Sequence, residues 1–259
     1  MRCGATLAAM NERLYTDLTG WYLLLDPTED HHEEATVFAA ALRSAVVGDC
    51  ATLLELGAGA GNNAHFLRDS FACTLVDASP DMLALSAARL PDCAHLLGDM
   101  RTLRLDRLFD AVLIHDALSY LCASADLDAT ARTEAVHLRP GGAAVLSPDC
   151  VRESFVETCD LHAADDGDRA LRTMEWAFDP DPSDSEFRTD YSFALRRGAK
   201  VEVVHDHHRC GLFSVAEWVA CLQGAGLIVE LRPRPLEGIE PPHGYWDQLL
   251  LARKPMESM

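Results

Sequence analysis

The chain has 259 residues, 49% of them hydrophobic, with 41 acidic against 22 basic side chains and a formal net charge of −19 at pH 7. That length supports one substantial core rather than two independent ones, and no apolar run approaches the ~20 residues of a membrane helix. The acidic balance, without any cluster of Lys and Arg, excludes nucleic acid as a partner, because a phosphate backbone would be repelled.

In chain order, Met1-Arg2-Cys3-Gly4-Ala5 lacks the hydrophobic stretch of a signal peptide, so a soluble cytoplasmic protein is expected. Residues 5 to 48 have helical periodicity, with Thr28-Glu29-Asp30 opening a second helix through Ala35, Phe38, Leu42 and Val46. Between the two helices runs an aromatic segment, Tyr15 to Tyr22, that Gly20 is expected to break. Next, Leu53 to Asn63 reads as a buried strand, a glycine turn (Gly57, Gly59, Gly61) and a helix start. Gly61 falls one place too early for the dinucleotide fingerprint, which makes NAD the weaker reading.

Further strands are expected at 72–77, 93–97, 109–114 and 143–147, alternating with helices that open near Gly61, at Ser79-Pro80-Asp81 and near Ala125-Asp126. Asp77 and Asp99 then stand at the tips of the second and third strands. There Asp77 suits both ribose hydroxyls, and Asp99 suits an adenine amino group. From 151 to 210, period-two segments at 173–178, 187–193 and 201–207 indicate half-buried antiparallel strands, with a turn at Asp179-Pro180-Asp181-Pro182. Ser214-Val215-Ala216-Glu217 is a capping box that opens a last helix, followed by strands at 227–231 and 248–252. Nine cysteines, odd in number and without a C-x-x-C pair, suggest neither a disulfide framework nor a zinc knuckle.

The succession Glu55-Leu56-Gly57-Ala58-Gly59-Ala60-Gly61, Val76-Asp77-Ala78-Ser79-Pro80-Asp81-Met82-Leu83, Gly98-Asp99-Met100, Phe109 to Ile114 and Leu138-Arg139-Pro140-Gly141-Gly142 resembles the class I S-adenosylmethionine-dependent methyltransferases over roughly residues 50 to 148. The resemblance implies an α/β fold: a doubly wound, Rossmann-like seven-stranded sheet whose last strand is antiparallel. It divides the chain into an N-terminal helical lid (1–48), a cofactor-binding core (49–150), an inserted antiparallel β cover (151–211) and a C-terminal completion of the sheet (212–259). It implies S-adenosylmethionine as cofactor, held by Tyr15, Glu55, Gly57, Gly59, Gly61, Asn62, Asp77, Ala78, Met82, Asp99, Met100, Arg101 and His115.

The segment His115 to Tyr120, the Glu175-Trp176 and Asp179–Pro182 stretches, and Asp206-x-His208 with Gly211-Leu212-Phe213 are similar to a bacterial group of stand-alone methyltransferases. His115, in the loop after the fourth strand, is the first candidate for a general base, or else a hydrogen-bonded packing residue. Tyr120 and His207 are the other catalytic candidates. The position of Tyr120 resembles the place where aminosugar N-methyltransferases present a polar side chain to the acceptor. Trp21, Tyr22, Tyr120, His162, Trp176, Tyr191 and His205 are candidates for the acceptor pocket, although Trp21 and Tyr22 can equally staple the helices and Trp176 can belong to the cover's own core. In His205-Asp206-His207-His208 only alternate side chains share a face, so at most two ligands converge and no metal is expected.

The function implied is methyl transfer to an N or O nucleophile of a small molecule in specialised metabolism, by a monomer or homodimer. Two readings stay open beside it: transfer or cyclisation of the aminocarboxypropyl arm with release of methylthioadenosine, and a non-catalytic cofactor-binding module.

Overall fold

Short buried strands alternating with helices build the core. The computed structural model describes residues 12–234 and 244–256. Helices α1 (Thr19–Leu25) and α2 (His32–Ala45) lead into strand β1 (Thr52–Leu56), then α3 (Asn62–Leu67), β2 (Ala72–Asp77), α4 (Pro80–Arg89), β3 (Ala94–Leu97), β4 (Phe109–His115), α5 (Ser124–His137) and β5 (Leu138–Ser147). Four long strands follow, β6 (Thr158–Asp166), β7 (Arg169–Phe178), β8 (Glu186–Arg197) and β9 (Lys200–Gly211). The chain closes with α6 (Val215–Gly224), β10 (Ile228–Pro233) and β11 (Gln248–Arg253).

The first sheet has the order β10-β11-β5-β4-β1-β2-β3, with β1 to β5 parallel and β11 antiparallel to both neighbours, while β6 to β9 form a separate antiparallel sheet in sequence order. Alternation along β1 sends Leu54 and Leu56 to one face of the sheet and Leu53 to the other. On the first face they meet α5 and α6 through Leu127, Trp218 and Leu222; on the second, Leu53 meets α2 and α3 through Phe38, Leu42 and Leu67. Burial on both faces is what continuous apolar strands require. The capping box at Ser214 and Glu217 forms as expected, and Ser79 caps α4 with Pro80 in its first turn.

The N-terminal segment departs from its expected form. Residues 5 to 11 lie outside the described residues, and from Arg13 the chain makes a 3-10 turn (Arg13–Tyr15), α1, a second 3-10 turn (Thr28–His31) and α2. Gly20 falls inside α1 and does not break it. Tertiary burial decides this, because Leu14, Leu18 and Trp21 pack on Leu171, Phe193, Leu195 and Val204 of the second sheet. Strand β6 was not foreseen in the sequence. It is an edge strand with mostly exposed side chains, so it carries little period-two signal, and pairing with β7 sets its register.

Candidate active site

At the carboxyl ends of β1, β2 and β4 lies a cavity of about 680 Å³, in the range typical of small-molecule sites, walled also by the N-terminal segment and by residues of β8 and β9. The glycine turn after β1 makes the approach possible. Gly57 has φ +72, and a Cβ there would lie 2.2 Å from the Ala117 Cβ. Gly61 does not face the cavity: a Cβ on it would meet Ser86 and Leu90, so its smallness lets the turn seat against α4. The Gly59 N–H donates to Asp77 Oδ2 at 2.7 Å and the Ser79 N–H to Asp77 Oδ1 at 2.7 Å, which fixes the carboxylate at the tip of β2. Burial nevertheless raises the Asp77 pKa above its ordinary value. Asp99 pairs with Arg101 at 2.6 Å, and Arg101 reaches on to Asp126. Asn62 ties the turn to the N-terminal segment, its Nδ2 donating to Asp26 Oδ2 at 3.0 Å.

A charged network closes one end of the cavity. Glu34 is its hub: Oε1 takes His31 Nδ1 at 2.6 Å and Asn63 Nδ2 at 3.0 Å, and Oε2 takes Arg234 Nη2 at 2.5 Å. His31 is also bound to Asp26 at 2.7 Å. Burial disfavours its charged form, but the two carboxylates prevail and its pKa rises to about 10. His115 Nε2 lies 2.9 Å from Asp116 and 3.2 Å from Glu34, and again burial is outweighed, by Asp116 and Glu34, so that its pKa rises to about 9. Asp116, which lines the cavity, carries positive φ (+49), uniquely among described non-glycine residues. Asp149 is pushed well above the carboxylate range by burial and by Asp116, and it accepts from Ser119 Oγ at 2.8 Å.

Ligand-type atoms approach within 4.8 Å of one another in the sets His31–Glu34–His115 and His115–Asp116–Asp149. Apart from Asp149, which accepts from Ser119, they are engaged in these ion pairs, with His115 Nε2 turned as a donor to carboxylates. The same geometry corrects the expectation of His115 as a general base: Nε2 is held by two carboxylates and Nδ1 faces buried Asn63, so neither nitrogen is left to take a proton from an acceptor.

A second chain of contacts crosses from the N-terminal segment to β9. Tyr15 and Tyr120 hydroxyls lie 2.7 Å apart, Tyr120 Oη is 2.8 Å from His208 Nδ1, and His208 Nε2 is 3.1 Å from Asp206 Oδ2. His208 and Asp206 are buried on the inner face of β9, whereas His205 and His207 point to its exposed face. His207 borders the cavity rim. His205 bonds Ser192 on the outer surface, which removes it from the pocket.

Of the residues expected at the cofactor, Tyr15, Glu55, Gly57, Gly59, Asn62, Asp77, Ala78, Met82, Asp99, Met100, Arg101 and His115 all line the cavity, with Tyr22 and Tyr120 beside them. Four further candidates are placed elsewhere. Trp21 is buried between Arg197 and Arg169, His162 bonds the Leu24 carbonyl, Trp176 is 42% exposed with its indole N–H on Glu157, and Tyr191 stacks on Phe193 and donates to Glu175. Each serves the seam between α1 and the second sheet, or that sheet's own surface. Sequence reasoning missed the roles of Glu34, Arg234, Asp206 and His208. For the last two the alternation along β9 was the available signal, whereas nothing local marks Glu34 or Arg234.

The cavity fits a cationic nucleoside. Glu55 is 4% exposed and lines it, and its Oε2 has no hydrogen-bond partner among the described residues. The comparisons agree. A family model described as a methyltransferase domain matches residues 53–142. A Streptomyces venezuelae protein named dTDP-3-amino-3,4,6-trideoxy-alpha-D-glucopyranose N,N-dimethyltransferase is 32% identical over 78% of this chain and 85% of its own length. The chain belongs to the class I S-adenosylmethionine-dependent methyltransferases.

Two solved structures extend the likeness of this methyltransferase. DesVI of Streptomyces venezuelae superposes with a TM-score of 0.79 at 27% identity, covering 92% of this chain and 97% of that one. The S-adenosylmethionine-bound amino pentose methyltransferase CalS10 of Micromonospora echinaspora gives 0.74 at 26%, covering 86% and 91%. The methyltransferase acts on a small molecule in specialised metabolism and uses S-adenosylmethionine, which supplies, when bound, a methyl group on an electrophilic sulfonium. No helix among the described residues is long and apolar enough to cross a membrane.

Proposed function

We propose that this methyltransferase acts on the amino nitrogen of an amino sugar, free or carried on a nucleotide, inside the cytoplasm and as a monomer or homodimer. The observation that carries the reading is the pairing of two carboxylates on the cavity wall, Asp26 and Asp116, with two lining tyrosines, Tyr15 and Tyr120, whose hydroxyls lie 2.7 Å apart. Carboxylates and hydroxyl oxygens suit a cationic amine better than a neutral alcohol. The relatives named above for amino sugars lend the same support.

In this reading Asp77 takes the ribose hydroxyls, and Asp99, Met100 and Arg101 bound the adenine. Glu55, Asn62 and the His115 network face the amino acid end. Gly57, Gly59, Ala78, Met82 and Tyr22 shape the walls, with Gly61 supporting the turn from behind. Tyr15 and Tyr120 meet the acceptor, and His207 stands at its entrance. Much of the acceleration then comes from holding the two reactants in line with water excluded. The test is turnover of a dTDP-linked 3-amino sugar against its 3-hydroxy counterpart. S-adenosylhomocysteine formed with the amine alone is expected, and preference for the alcohol would refute N-methylation.

A further inference from the structure

With a neutral His208 ring, the Tyr15–Tyr120–His208–Asp206 chain has one consistent polarity. Asp206 accepts the Leu14 N–H on Oδ2 and the His207 N–H on Oδ1, both at 3.0 Å, and with His208 alongside, these donors hold its pKa below the ordinary value although burial opposes them. The carboxylate is therefore ionised and His208 Nε2 donates to it, and in the neutral ring this leaves Nδ1 as an acceptor. Tyr120 carries one hydroxyl proton, and at 2.8 Å it goes to Nδ1. Tyr15 must then donate to Tyr120. Both hydroxyl protons are then used within the chain, so what the two hydroxyls have left to offer a ligand is lone pairs alone.

We propose that Tyr15, Tyr120, His208 and Asp206 form a proton wire that removes the proton from the acceptor amine, with His208 Nδ1 as its terminal acceptor. The proposal rests on the amine reading of the acceptor. An amine arrives at neutral pH largely as an ammonium, whose nitrogen has no lone pair for attack. As one N–H bond breaks, a tyrosine oxygen takes that proton and passes its own along; Tyr120 yields its proton to Nδ1. The products are a neutral amine and an imidazolium resting on the Asp206 carboxylate, with no electrons exchanged. Burial holds both tyrosines well above their ordinary pKa, so they relay as neutral hydroxyls. His208 is 1% exposed, which keeps bulk water from taking its place. The ionisable groups around it are Tyr15 and Tyr120, Tyr191 with its ring 4.8 Å away, Glu175 behind Tyr191, Cys210, and the Arg13–Asp17 pair near Asp206.

Two measurements decide the matter. With the dTDP-linked 3-amino sugar as probe, Tyr120→Phe and His208→Gln are expected to lower kcat by roughly 10²–10³ at pH 7 with cofactor affinity unchanged. The deficit should shrink about tenfold per pH unit as the amine approaches its own pKa, because free amine then arrives without help. A deficit independent of pH would overturn the wire and leave a packing role. Separately, nitrogen-15 spectra of histidine-labelled protein, assigned with His208→Gln, should show His208 protonated at Nε2 alone, with its Nδ1 signal shifting in Tyr120→Phe. An Nδ1-protonated or cationic ring in the ligand-free protein would refute the wire even if the probe is not methylated. Failure of the wild-type protein to methylate amines would count against the amine reading instead.

Discussion

Replacing Glu55 by glutamine should stabilise the ligand-free protein, and by an amount that grows with pH. The Glu55 carboxyl is 4% exposed, its Oε2 has no partner, and burial pushes its pKa from 4.5 to about 8, His115 and His31 drawing it down less than burial raises it. The folded protein therefore keeps a proton that the unfolded chain has lost. The stabilisation is complete below pH 4.5 and disappears as the pH rises through about 8. At ~1.4 kcal/mol per pH unit, roughly 3 kcal/mol is gone by pH 7 and 4–5 kcal/mol above pH 8. Glutamine keeps the shape and cannot ionise. Urea unfolding of Glu55→Gln and the parent should give equal free energies near pH 4.5, with the variant ahead by roughly those amounts at pH 7 and above pH 8. A difference that does not grow with pH would refute the assignment of Glu55 as a buried neutral acid.

Asp77→Ala removes the charged acceptor at the tip of β2 and should weaken S-adenosylmethionine binding about 10–100-fold by calorimetry; unchanged affinity would end its assignment to the ribose. Gly57→Ala combines positive φ with a 2.2 Å approach to Ala117 and should cost about 2–4 kcal/mol in urea unfolding. Gly48→Ala, with positive φ in open space, should cost only about 1–2 kcal/mol, and equal losses at the two sites would contradict the contact. Asp116→Asn should lower the His115 pKa from about 9, followed by NMR titration. The stability that His115 contributes is present below its ordinary 6.5 and lost as the pH rises through about 9, so the variant's deficit against the parent should be full near pH 6.5 and fade as the pH rises to about 9. No change in the titration would show that Asp116 is not what holds the ring charged.

The parallel core was legible because its signals are local. Leu53 to Leu56 are apolar on both faces, Gly57 and Gly61 punctuate the turn, and Ser79-Pro80 and Ser214–Glu217 announce helices through their own capping chemistry. The strand-tip wall of the cavity follows directly, since residues such as Asp77 and Asp99 are placed by the sheet alone. The opposite wall was less legible, because its geometry depends on contacts between distant segments. Leu14 meets Asp206 across 192 positions and Glu34 meets Arg234 across 200, and neither pairing leaves a trace in local periodicity. Alternation along β9 correctly separated Asp206 and His208 from His205 and His207, but which pair faces inward depended on where the N-terminal turn docks.

Product analysis puts methyl transfer to an acceptor nitrogen in this cleft to its most direct test. After incubation with S-adenosylmethionine and a dTDP-linked amino sugar, mass spectrometry should find S-adenosylhomocysteine in step with a sugar heavier by one or two methyl groups on nitrogen. Methylthioadenosine as the nucleoside product, or methyl groups on oxygen alone, would contradict it.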